Sequence, residues 1–315
     1  MRRLAISGAI ALFLVVLSTN GFAKPPIPLT KCETITRRGN YILANDLVLT
    51  LNTGGGNGNC LVINSSHVNV DLNGRTITTA CVLPGGSPFI CPPSVQGGIG
   101  IDIEADHVSV ANGHVGEVDG GGGYTVGIFG EGDYISAAHL GLATDMGIVL
   151  NDVRYSAFAD IGYGGLPVLG PETIGPVLSV SGGGNNTFGS ISSSTTTFEG
   201  IIITNSSNNV IEGARIFCSA EGEAEPGILL TQGSSHNYIT NNNVFVLFGN
   251  GIELDLGSDA NSVQNNTVQT ATTAPGFFAL FDQNLDCGSN IWTNNVFSNE
   301  FAPAQISANP ASCIH

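Results

Sequence analysis

Charge is scarce in this sequence: Asp, Glu, Lys and Arg together make up 11% of 315 residues, and only nine of them are cations. The formal net charge is −16. A chain this acidic lacks the basic face that displaces counterions from nucleic acid or meets the charge of anionic lipid, so neither is an expected partner. No CxxC pair, GxSxG or HExxH occurs, which removes the common sequence signals for a zinc site or a nucleophile elbow. DGGGG at 119–123 lacks the lysine and hydroxyl residue that complete a phosphate loop, so nucleotide chemistry has no support either. Beyond the N-terminus no apolar run approaches the length of a membrane span. Helical periodicity is missing between the apolar segments.

What is present starts with MRR, an apolar run and small residues at Gly21 and Ala23, the pattern of a signal peptide cut after Ala23. The expected location is secreted or periplasmic, with no membrane span in the mature chain. The expected division is signal peptide 1–23, N-terminal capping segment 24–59, repeats over 60–300 and a C-terminal tail 301–315. In an exported chain, seven cysteines favour disulfides over metal chelation. The pairing expected, one among several that the count allows, is Cys32 with Cys60, Cys81 with Cys91 and Cys287 with Cys313. Cys218 stands outside these pairs.

Glycine is abundant at 43 residues, and much of it punctuates a repeat. Gly-Ile pairs at Gly100, Gly127, Gly147, Gly200, Gly227 and Gly251 open short alternating segments, 27, 20, 53, 27 and 24 residues apart. A second short strand follows each one. Units of this size cannot bury an apolar face alone and must stack. The fold class is therefore all-β, a right-handed single-stranded parallel β-helix of roughly nine coils, with rungs about 4.8 Å apart.

The segment CETITRRGNYILANDLVL, the coil CLVINSSHVNVDLNGRTI and the closing CGSNIWTNNVF with ASC resemble exported bacterial right-handed β-helix repeat proteins of the pectate-lyase-like architecture. The resemblance implies the fold. It names no reaction, because that architecture hosts pectin-degrading hydrolases, alginate epimerases and lyases, and a periplasmic protein of copper-site maturation. The polygalacturonase motifs and the DPHD of alginate epimerases are absent, so no catalytic residue is carried over.

Aligned coils place Asn186, Asn209, Asn237, Asn261 and Asn290 at equivalent turns, where stacked amides bond along the axis. Alternation along the second strand predicts an outward column of Thr76, His114, His139, Asp160, Ser190, Arg215, Asn243, Thr267 and Asn295. Its inward neighbours are Val115, Leu140, Ile161 and so on to Val296. The next outward column holds Gly116, Gly141, Gly162, Phe217, Phe245 and Phe297, with glycines leaving room beside the His/Asp stretch and phenylalanines offering faces for sugar rings.

The preferred site is thus His114, His139, Asp160 and Arg215, with Gly116, Gly141, Gly162, Phe217 and Phe245 as substrate-contacting positions. A histidine there serves as general base with Asp160 orienting it, and Arg215 would pair with a uronic carboxylate. An alternative acid cluster is Glu253, Asp255 and Asp282, with Asp282 expected one rung from Glu253, at separations that bracket those of glycosidases. The expected role is binding or processing a polysaccharide or cell-envelope glycan. As an enzyme this would be a carbohydrate-active lyase, epimerase or glycoside hydrolase. A non-catalytic envelope or adhesion β-helix and a periplasmic metal-handling β-helix stand as the other classes. No metal site is singled out, and Ca2+ is the one ion that loop glutamates or a polyanionic substrate would call for.

Overall fold

A computed structural model describes residues 24–52, 58–82, 88–89, 97–116, 124–164, 175–193, 199–218, 225–271, 276–299, 308–310 and 312–314. Among them the chain winds as the expected parallel β-helix, with two sheets of eleven and eighteen strands. Every strand pairing is parallel except that of Thr76–Val82 with Pro88–Phe89. The eleven-stranded sheet holds the Gly-Ile segments, such as Ile201–Thr204 beside Ile228–Thr231. Its first and last strands, Glu33–Ile35 and Ala308–Asn309, come from the two terminal segments.

Alternation puts one aliphatic residue per step into a continuous core: Ile101, Ile128, Ile148, Leu178, Ile201, Ile228, Ile252 and Leu280 lie on successive rungs, all fully buried. No rung has a core of its own, so burial at about 25 cal/mol per Å² is realised only between neighbours.

Two corners are built from side-chain ladders. At the first, Asn186 Nδ2 donates to Asn209 Oδ1, Asn209 to Asn237, Asn237 to Asn261 and Asn261 to Asn290, at 2.9 to 3.2 Å. These are the five asparagines expected from the sequence. Ser156, whose N–H donates to Asn186 Oδ1, extends the ladder by one rung. A second ladder at the other corner escaped the sequence alignment: Asn242 donates to Asn266 and Asn266 to Asn295, each at 3.0 Å. Asn295, expected outward, is therefore buried at 9% exposure, while Val296, expected inward, is 66% exposed. The amide demands the inner place because it has partners there, and Phe297 opposite Val268 fills the core slot.

Just outside the first ladder a column of left-handed residues carries rings on four consecutive rungs. His107, Tyr134 and Tyr155 stack with centroids 4.7 and 5.3 Å apart, and His67 packs on His107 at 4.7 Å with its ring tilted by 41°. Cys32–Cys60 and Cys287–Cys313 are disulfides, as expected. The Cys81–Cys91 pairing and the signal peptide lie outside the described residues. Cys218 is buried in the core. The single tryptophan, Trp292, is buried on the last coil, and its Nε1 donates to Asp282 Oδ2 at 2.9 Å.

Asn237 is fully buried; it accepts two hydrogen bonds from Asn209 and donates two of its own. Asn237→Ala leaves those partners unsatisfied and is expected to cost on the order of 3 kcal/mol, measured as a lower urea midpoint at unchanged slope.

Candidate functional site

Within the larger sheet each coil turns its second corner on one residue with positive φ: Asn112, His139, Asp160, Ser190, Gly213, Asn241, Asn265 and Asn294 on successive rungs, with φ between 53° and 67°. Glycine tolerates this backbone best, Asn, Asp and His are enriched there, and most other side chains are strained by about 1 kcal/mol or more. Three successive rungs carry His, Asp and Ser. His139 and Asp160 face each other directly, with Nδ1 and Oδ2 3.3 Å apart and side chains 64% and 55% exposed.

The strand beyond this corner presents a different outward column. His114 pairs with Thr76 on one side and Gly141 on the other, and Gly141 continues to Gly162, Ser192, Arg215, Asn243 and Thr267. The single column expected through His114, His139, Asp160 and Arg215 is therefore two. His139 and Asp160 stand on the corner, while His114 and Arg215 stand on the strand, two residues further on. A shift of two residues keeps every side chain on its own face, so hydrophobic alternation could not choose between the registers. Leu140 and Leu142 are both buried at 2% exposure and both fit the inward role expected of Leu140 alone.

The glycines expected to share one outward column do not: Gly141 and Gly162 stand in line with His114, and Gly116 stands opposite Ala143. His114, Gly116, Gly141, Gly162 and Ser192 line an open hollow of about 460 Å³ on this face, with Ala143, Gly164, Tyr163 and Ser193 completing its walls. The imidazole of His114 lies over Gly141, where an added Cβ would stand 2.5 Å from His114 Cδ2. On the other flank of the corner the outward residues are also small: Ala138, Ala159 and Gly189 occupy one column. The His139–Asp160 pair is thus a ridge between two smooth strips. Arg215 lies one rung beyond Ser192, and Phe217 and Phe245 stack with centroids 5.1 Å apart and planes 6° apart.

The alternative acid cluster does not assemble as expected. Glu253 lies opposite Phe281, not Asp282, which sits opposite Leu254 and points inward at 2% exposure. Its carboxylate accepts from the N–H and Nδ2 of Asn284, from Asn290 Nδ2 and from Trp292 Nε1, so it closes the last coil. Glu253 and Asp255 do share a donor, the Nε2 of Gln283, at 2.7 and 2.9 Å.

Two carboxyls that the sequence did not single out are shifted upward. Burial pushes Asp145 up to about 6; the Tyr163 hydroxyl donates to the backbone oxygen of the same residue. On the eleven-stranded sheet Asp102 is 5% exposed, with one oxygen accepting from Asn59 Nδ2 and the other, Oδ1, buried without a partner. Burial, then the charges of Glu104 and Glu131, hold it above the usual carboxylate range against that hydrogen bond. Both groups bind a proton more tightly folded than unfolded, so both lower stability as pH rises. For Asp145 the window runs from 3.8 to about 6. Asp145→Asn is expected to flatten the fall in melting temperature across that window, and unchanged pH dependence would contradict it.

A family described as "Right handed beta helix region" matches residues 174–313. No curated protein matches the chain. Among solved structures, the Dettilon tailspike protein superposes at a TM-score of 0.55 and 13% identity, over 85% of this chain and 56% of its own. This chain thus spans little more than half the length of that tailspike. An alginate lyase from Paenibacillus sp. str. FPU-7 gives 0.48 at 11% identity, over 86% of this chain and 99% of the lyase. The A-module of an Azotobacter vinelandii mannuronan C-5 epimerase gives 0.41 at 11% identity, over 83% and 87%. At such identities the likeness is one of fold: the chain is a right-handed parallel β-helix.

Proposed function

We propose that this is an exported β-helix that binds or processes a polysaccharide along the outward face running from His114 to Arg215. The observation that supports it best is the His139–Asp160 pair, set 3.3 Å apart on a ridge beside a glycine-floored hollow. A hollow bounded by rungs repeating at about 4.8 Å suits a chain of similar repeating units lying along the axis. Two disulfides among the described residues suit an oxidising compartment.

In a catalytic version of this role, Asp160 holds the His139 ring through Nδ1 and leaves Nε2 to act as the general base. His114 reaches the hollow from its far end. Arg215, exposed one rung past Ser192, offers donors to sugar oxygens further along, and the stacked Phe217 and Phe245 continue the track. The metal-handling alternative gains nothing from the geometry, since among the described residues no three His, Cys, Asp or Glu side chains converge on one point.

His139→Asn is a better test than His139→Ala, because asparagine occupies the same left-handed position on four other rungs. On a polysaccharide from which the wild-type protein releases product, His139→Asn is expected to slow release about a hundredfold or more with the melting temperature kept. Release at the wild-type rate would remove His139 from the chemistry. A wild-type protein that retains no immobilised polysaccharide would overturn the proposal.

A further inference from the structure

We infer that Gly162 keeps the hollow open for an uncharged sugar unit carrying an acyl group, an assignment that rests on the glycan role proposed above. Three of the four glycines along the hollow, Gly116, Gly141 and Gly162, differ in why they are glycine. Gly116 has φ 112°, and a Cβ there would stand 1.9 Å from Ala143 O. A Cβ on Gly141 would stand 2.5 Å from His114 Cδ2. Gly162 has no such reason: a Cβ would meet nothing nearer than Leu140 O and Ser192 Oγ, both at 3.9 Å, and its backbone is ordinary extended strand. Glycine inside a strand weakens it by about 0.5–1 kcal/mol relative to alanine. What the missing side chain provides is the space above the strand.

The chemistry of the walls selects what enters that space. His114, Tyr163, Ser192 and Ser193 are the lining residues with polar side-chain groups, and among the described residues no Lys, Arg, Asp or Glu lines the hollow. A uronic carboxylate would leave water there without a cation to meet it, at a cost of several kcal/mol, and in a protein of net charge −16. An acyl methyl instead finds the Ala143 methyl and the glycine backbone of the floor. Ser193 Oγ already accepts the Phe217 N–H at 3.0 Å, so its hydrogen is left to donate to the acyl carbonyl. Arg215, the cation expected to pair with a uronate, does not line the hollow.

Calorimetric titration of the whole chain with three oligosaccharides separates the possibilities: N-acetylglucosamine oligomers, glucose oligomers of the same linkage, and oligogalacturonate. The acetylated series is expected to bind tightest, about tenfold or more above oligogalacturonate. A Cβ on Gly162 meets nothing nearer than 3.9 Å, so Gly162→Val is expected to lose about tenfold or more of that affinity at an unchanged melting temperature. Equal affinity for oligogalacturonate, or a Gly162→Val protein that binds the acetylated series like wild type, overturns the inference. If oligogalacturonate binds tightest and Gly162→Val abolishes it, the glycan face stands and the neutral acyl assignment falls. If none of the three binds, the acyl assignment falls, and the glycan role falls with it only when a wider panel of immobilised polysaccharides is also silent.

Discussion

Everything in this molecule hangs on the bond between one rung and the next. A strand of three or four residues has no stability of its own, and each buried backbone or side-chain amide must find its partner 4.8 Å or so along the axis. The asparagine ladders make that demand specific. Asn209, Asn237 and Asn261 are essentially inaccessible to water, and each accepts from both the N–H and the Nδ2 of the rung before. A rung slipped by one residue would bury these amides without partners, at about 1–3 kcal/mol for each group left unmade.

That register in turn decides what faces outward, and hence where chemistry can sit. Once Asn242, Asn266 and Asn295 are held at the second corner, the residue before each is forced into the left-handed region and projects from the edge. On most rungs that position is Asn or Gly. Where it is His139, Asp160 and Ser190, the projecting side chains do nothing for the core. The small residues on both sides of the ridge have the same sense: bulk is removed where a second molecule would lie.

The sequence made the architecture legible because burial and alternation repeat in every coil, so that one irregular turn hardly matters. The first ladder was readable for the same reason. The second was not, because its rungs toward the N-terminus are Leu140, Ile161 and Ile191, and amides appear only from Asn242 onward. The candidate site was blurred in its geometry: His139 and Asp160 are neighbours as expected, but His114 and Arg215 fall in another column through a two-residue ambiguity that only the left-handed corner resolves. Asp282 shows the same limit from the other direction. Nothing in the string LFDQNLDC distinguishes an outward acid from one that accepts four hydrogen bonds on the last coil.

The placement of Trp292 determines what the protein's own fluorescence can report. It is the one indole in the chain, buried against the carboxylate of Asp282 under the C-terminal tail, whose Ile314 bridges to it. The rung of Gly162 lies five pairings away, roughly 24 Å along the axis. Tryptophan emission therefore follows the fraying of the last coil and the opening of Cys287–Cys313, and stays silent about a molecule settling into the hollow. An unfolding curve recorded at that wavelength is a measurement of one end of the solenoid.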